Sequence, residues 1–197
     1  FMDSLTSGYI LKMPQDFYIK HNFINDKQEK DSVYRFSFQE AHGVIWPRLN
    51  LNTEYPQVHN PSQLGESCPF HEKNKGLAYY KILNPFIIKT PPGYSCLFTP
   101  PLNNRDDRFE IISGIVDTDK FPNYINFPII INGDKYPNLE TVIERGLPYV
   151  QVIPFKRENW QMEMKTMTES HNNILLQSIK KIVYTYKKFF WSKKTWN

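Results

Sequence analysis

The sequence predicts a mainly β protein that ends in an amphipathic helix. Three observations carry this reading. Between residues 80 and 157, short runs of β-branched and aromatic residues alternate with Gly, Pro and Asn turn signals, a strand-and-turn pattern. Prolines outnumber glycines, 15 to 8, and aromatics reach 15%, which favours rigid turns and edges over long helices. After residue 158 the apolar spacing changes from two to three and four, the period of a helix face.

The elements follow in order. Residues 1–80 read as an N-terminal extension of strands and loops. Strand candidates lie at 7–12, 16–20 and 33–38, and the last alternates as a strand with one buried face should. Residues 46–75 are rich in Pro, Asn and Gly and read as loops, with a turn at Asn60-Pro61-Ser62-Gln63-Leu64. Residues 81–157 form the expected β core. Its strands fall at 85–90, 94–98, 109–112, 115–116, 125–131, 142–144 and 149–153. Pro91-Pro92-Gly93 turns the chain between the first two, and Asn132-Gly133 is a hairpin signal. Ile87, Leu97, Ile112, Ile115, Phe127, Ile129 and Val152 are the expected core residues. Residues 158–197 form the helix and tail, with Ile174, Leu175, Ile179, Ile182, Val183, Tyr186, Phe189 and Phe190 on one face.

Charge divides the chain. Residues 180–197 hold six lysines and no acid; subtracting them from the formal +4 leaves −2 on the rest. Lysines interleaved with Tyr184, Tyr186, Phe189, Phe190, Trp191 and Trp196 suit single-stranded nucleic acid or an anionic membrane surface. The favoured reading is a helix that packs its aromatic face on a neighbour, a second subunit included, and leaves lysine in water. No run approaches the 18 apolar residues of a membrane span, and the first residues carry no secretory leader pattern. Two cysteines give no disulfide framework, so a reducing compartment is expected. Cys68 and His71 stand at a pair spacing for zinc, with His59 nearby, but no fourth ligand follows; His42 and Cys96 have no motif, and no metal site is assigned.

The richest segment is Gly114-Ile115-Val116-Asp117-Thr118-Asp119, a strand running into two carboxylates. Asp117 and Asp119 are the candidate catalytic residues, since carboxylates orient water or bind a hard cation carried by a nucleotide. Carboxylates at a strand end also accept backbone N–H bonds and hold a turn, and both readings stay open. No helix-turn-helix, phosphate-binding Gly loop or nucleophile elbow is visible.

Pro91-Pro92-Gly93-Tyr94, the Asp-x-Asp segment and Arg145-Gly146-Leu147-Pro148-Tyr149-Val150-Gln151 stand in the order of three motifs of the dUTPase and dCTP-deaminase superfamily. The chain resembles that superfamily over residues 87–155. The resemblance implies a β-clip core, a homotrimer, and a nucleotide site that would carry Mg²⁺ only with its nucleotide. It implies ligand-binding roles for Tyr94, Phe121 and Gln151, although a strand-edge or subunit contact is the favoured reading of Gln151. In the charged loop Arg105-Asp106-Asp107-Arg108, Arg105 or Arg108 is the candidate replacement phosphate ligand, with a solvated loop the favoured reading. The superfamily's phosphate-holding Arg and Ser have no counterpart in Thr99-Pro100-Pro101-Leu102-Asn103, and Lys120 stands where its stacking Tyr belongs. Catalysis is therefore expected to be degenerate.

Over nearly its whole length the chain also resembles an uncharacterised family of tailed phages and some bacteria. That resemblance rests on Lys89-Thr90-Pro91-Pro92-Gly93-Tyr94-Ser95, Gly114 to Asp119, and Gln151-Val152-Ile153-Pro154-Phe155-Lys156-Arg157. It implies a phage-related protein in the host cytoplasm or the virion. Two functions follow: an accessory protein that keeps a nucleotide-binding fold, or a non-enzymatic virion or protein-interaction module that uses the fold as a building block.

Overall fold

Side-chain alternation builds the framework, as β9 illustrates. Along Asn138–Ile143 the outward residues Asn138, Glu140 and Val142 are exposed, while Ile143 is fully buried and Leu139 packs on the core. This computed structural model describes residues 2–22, 33–36, 69–70, 79–103, 106–180 and 186–194. The strand-like tail of the third candidate, residues 37–38, lies outside them, as do most of the 46–75 loops and His42, His59, Cys68, Arg105 and His71.

A short helix α1 (Met2–Thr6) leads into β1 (Tyr9–Lys12), β2 (Phe17–Asn22) and β3 (Val33–Phe36). Then come β4 (Tyr80–Ile82), β5 (Tyr94–Thr99), β6 (Phe109–Ile111), β7 (Gly114–Val116), β8 (Phe127–Ile131), β9 and β10 (Pro148–Lys156). These strands form three sheets, ordered β1-β10-β5-β7, β3-β2-β9 and β4-β8-β6, and all of their pairings are antiparallel. The stretch read as an extension thus supplies β1 to β10 and β2 to β9. The fold is mainly β, as expected.

The three sheets share one core. Phe17 and Ile19 from β2, Ile82 from β4, Phe98 from β5, Ile111 from β6 and Val150 from β10 are all at most 2% exposed and belong to one cluster. Phe127 lies between Phe98 and Tyr149, its ring centroid 5.5 and 5.7 Å from theirs, in tilted and edge-on geometries. Phe127, Ile129 and Val152 are buried, and Leu97 and Ile112 are half-buried.

Four expectations are corrected. Residues 85–90 form no strand. The buried Asn84 side chain accepts from the Phe86 N–H and donates to the Phe86 carbonyl, closing a local turn, and Pro85 has no N–H to offer a ladder. Ile88 packs on the core, but Ile87 is 48% exposed. Ile115 is 63% exposed, because β7 is the edge of its sheet and Ile115 points away from the core. The turn at Asn132-Gly133 joins no hairpin; it carries the chain from β8 in one sheet to β9 in another. Its bonds run from Gly133 N–H to Ile131 and from Tyr136 N–H to Asn132.

One proline and one glycine explain this sheet edge. Pro154 lies in β10, which is central at Gln151 but loses β1 after Val152 pairs with Tyr9, so the absent N–H faces an open side. Gly8 meets the same place. Its φ is +68°, and a Cβ there would lie 2.0 Å from the Val152 carbonyl oxygen. Only glycine lets the chain enter β1 so close to β10.

Residues 1–157 and 158–197 are two compact units. The second contains helix α2 (Glu169–Lys180) and, at Tyr186–Phe190, a single wide π-helical turn closed by Trp191 N–H to the Tyr186 carbonyl at 2.8 Å.

Candidate functional site

The two carboxylates stand on a tight turn after β7. Phe121 and Lys120 N–H groups both donate to the Asp117 carbonyl, at 2.9 and 3.0 Å, and Thr118 N–H donates to Val116 at 2.9 Å. Thr118, the middle residue, points inward and is fully buried. Its hydroxyl is 2.7 Å from that of Thr90 and donates to Cys96 Sγ at 3.4 Å. Burial pushes the Cys96 thiol pKa up, against a smaller opposing effect of the Thr118 bond. That thiol is a poor nucleophile.

Register delivers the third charged group. Lys156 of β10 pairs with Tyr94 of β5, so the next residue, Arg157, falls beside Gly93. The Arg157 N–H donates to the Gly93 carbonyl at 2.8 Å, and Gly93 in turn donates its N–H to Asp119 Oδ2 at 2.8 Å. Gly93 holds a φ of +87°, which the turn from Pro91 to Tyr94 requires.

The guanidinium of Arg157 meets Asp119 along two bonds, Nη1 to Oδ1 at 2.9 Å and Nη2 to Oδ2 at 2.5 Å. Nη1 also reaches the Tyr94 carbonyl at 2.9 Å and Ser95 Oγ at 3.0 Å, and lies 3.2 Å from Asp117 Oδ1. The Ser95 hydroxyl donates to that same Asp117 oxygen at 2.6 Å. Asp119 is sunk to 6% side-chain exposure and Asp117 keeps 54%. The Arg157 guanidinium, assisted by the Gly93 N–H, holds Asp119 well below the usual carboxylate range.

This arrangement fixes what each acid can do. A general base works best with a pKa near the operating pH, and Asp119 is held far from that with both oxygens engaged. Asp117 keeps one oxygen, Oδ2, outside these bonds. Among the described residues, no group of three or more His, Cys, Asp or Glu is placed to hold a metal ion.

The other candidates scatter. Tyr94 and Phe121 border the turn through their backbone: the Tyr94 carbonyl takes Arg157, and the Phe121 carbonyl takes Lys89 Nζ at 2.9 Å. The Phe121 ring is 38% exposed. Gln151 is buried, and its amide is fully engaged elsewhere. Nε2 donates to the Ser4 and Ser7 carbonyls at 2.8 and 2.7 Å, and Oε1 accepts the Leu102 N–H at 2.8 Å. Arg108 is clamped by Asp106 and donates to Thr141 Oγ1 at 2.7 Å and to the Val142 carbonyl, so it joins β9 rather than the carboxylates. Arg105 lies outside the described residues.

Gly93, Ser95 and Arg157 enter the sequence reading only within the turn and the family motifs, with no site role assigned to them. Arg157 carried no signal of its own: the strand expected at 149–153 stops short of it, and its position follows from the β5–β10 register. In comparisons with protein-family models, curated proteins and solved structures, nothing matches this chain.

Proposed function

We propose that the chain is a non-enzymatic structural or protein-interaction module of phage origin, with a β-clip-like core used as a building block. One observation carries this reading: Arg157 and the Gly93 N–H occupy both oxygens of Asp119, so the Asp-x-Asp turn acts as a latch between β5, β7 and β10. A latch needs its carboxylate ionised and saturated, whereas catalysis needs it available. The module assembles with copies of itself, a trimer being the first choice. Support comes from the outer face of the four-stranded sheet, where Ile153, Leu97 and Ile115 stand side by side in register, with the exposed Phe155 nearby.

A second reading, a nucleotide-binding accessory protein, draws support from the half-exposed Asp117 alone. Thermal unfolding with and without dUTP, dCTP and Mg²⁺ tests both, since a ligand of the native state raises Tm by mass action. The module reading expects no shift and no pyrophosphate release. A shift that Asp117→Asn abolishes establishes the nucleotide reading instead. Light scattering tests the assembly: an oligomer is expected, converted to monomer by Ile115→Asp, and a wild-type monomer at micromolar concentration overturns it.

A further inference from the structure

We propose that the C-terminal unit docks on the surface of an anionic lipid bilayer through α2 and residues 186–194. Six large side chains there are open to solvent. Ile174, Leu175 and Leu176 of α2 are 59%, 44% and 48% exposed, and Tyr186 and Phe190 of the π-helical turn, with Trp191 just after it, are exposed as well. Lys187, Lys188, Lys193 and Lys194 stand among those rings, all exposed, and Lys194 Nζ lies 5.4 Å from the centre of the Trp191 ring. The whole stretch from Lys180 to the C-terminal residue carries six lysines and no acid.

Charge and chemistry select the occupant. A stretch with six lysines and no acid calls for a dense negative surface. A second copy of the same segment would bring two such clusters together, and the rest of the chain sums to only −2. Single-stranded nucleic acid meets the charge and stacks on rings, but it leaves Ile174, Leu175 and Leu176 in water, because aliphatic side chains offer no stacking face. The interface of an anionic bilayer takes both kinds of side chain. Aliphatic and aromatic groups enter the acyl boundary while lysines reach the headgroups. Among the described residues no helix is long and apolar enough to cross a membrane, so the contact runs along the surface.

The experiment is co-sedimentation of the full chain with vesicles of phosphatidylcholine alone and of phosphatidylcholine mixed with phosphatidylserine, at low and high salt. Binding to the mixed vesicles is expected, with loss at high salt and little binding to the neutral ones. Each substitution Lys187→Gln, Lys188→Gln, Lys193→Gln or Lys194→Gln should weaken it roughly fivefold. Leu175→Ser with Leu176→Ser should weaken it too, and circular dichroism checks that the double variant stays folded. Absence of binding to the mixed vesicles overturns the proposal. So does binding that survives Leu175→Ser with Leu176→Ser unchanged while the chain captures an oligothymidine strand, the result for a nucleic-acid tail. A loss of self-association in the same double variant, without any vesicle binding by the wild type, assigns the face to a second copy and also overturns it.

Discussion

Arg157 and Asp119 form a two-bond ion pair, 2.9 and 2.5 Å, that ties the end of β10 to the turn after β7. The pair is planar fork to planar carboxylate, a geometry that a lysine cannot reproduce. Gly93, between them, gives its N–H to the acid and its carbonyl to the arginine backbone. Three chain segments are therefore fixed by one guanidinium, and the two acids that look most like catalytic residues in the sequence are the ones it fixes.

Removing the fork should loosen all three. Arg157→Met is expected to lower Tm and to expose the 117–121 turn to hydrogen exchange. Arg157→Lys should recover only part of the loss, because one ammonium replaces two directed bonds. Differential scanning calorimetry and exchange at Thr118 to Phe121 check this. Equal Tm values for the wild type and Arg157→Met would show that the pair does not hold the turn.

The same pair sets an acid limit. Asp119 has a folded-state pKa below its unfolded value of about 3.8, because the ion pair favours the charged form. A depressed carboxylate contributes stability that is fully present above the unfolded pKa and is lost as pH falls through the folded one. Asp107, lowered by Lys135 and Tyr136, and Glu140, lowered by Lys20 and Tyr18, act in the same direction. Stability is expected to stay level on these groups above about pH 5 and to fall steadily from about pH 4 downward. Asp119→Asn should flatten part of that fall. Urea unfolding at a series of pH values is the measurement, and an unchanged slope in the variant would remove Asp119 from the account.

What could be read in the sequence depended on whether the cause was local. β5, β8 and β10 have β-branched and aromatic runs that decide their own conformation, and the sequence placed all three. Residues 85–90 have a similar composition, yet Asn84 and Pro85 divert them, and a strand also needs a partner that no local pattern supplies. The role of Arg157 was invisible for the same reason. It follows from the β5–β10 register, which pairs Lys156 with Tyr94 across 62 positions of sequence. Asp117 and Asp119 were legible as a pair, but a motif does not reveal whether its oxygens are open or taken.

Gly8 tests the close approach of β1 to β10. In Gly8→Ala a Cβ would sit 2.0 Å from the Val152 carbonyl oxygen, with φ at +68°. The left-handed conformation costs about 1–2 kcal/mol for a residue with a side chain. Forcing the strand away adds about 1–3 kcal/mol of overpacking strain. At about 2–4 °C per kcal/mol for a chain of this size, Tm should drop by at least about 4 °C. An Ala variant as stable as the wild type would mean that β1 does not lie where Gly8 puts it.

Gln151 separates a ligand role from a structural one. Its side chain is 1% exposed, and its amide holds α1 through the Ser4 and Ser7 carbonyls and the loop at Leu102 through its N–H. Asn103 adds a second tie, donating to Ser4 Oγ at 2.7 Å. Gln151→Met keeps the volume and removes all three amide bonds. The Leu102 N–H then loses its acceptor in a half-buried place, at a cost of about 1 kcal/mol. Tm should fall by about 2–4 °C for each kcal/mol, and trypsin should cut at Lys12 sooner than in the wild type. A residue kept for a ligand behaves in the opposite way: its loss leaves Tm and proteolysis unchanged and lowers only the response to the ligand. Because every polar atom of this amide is already bonded to the chain's own backbone, the fall in stability is the outcome expected.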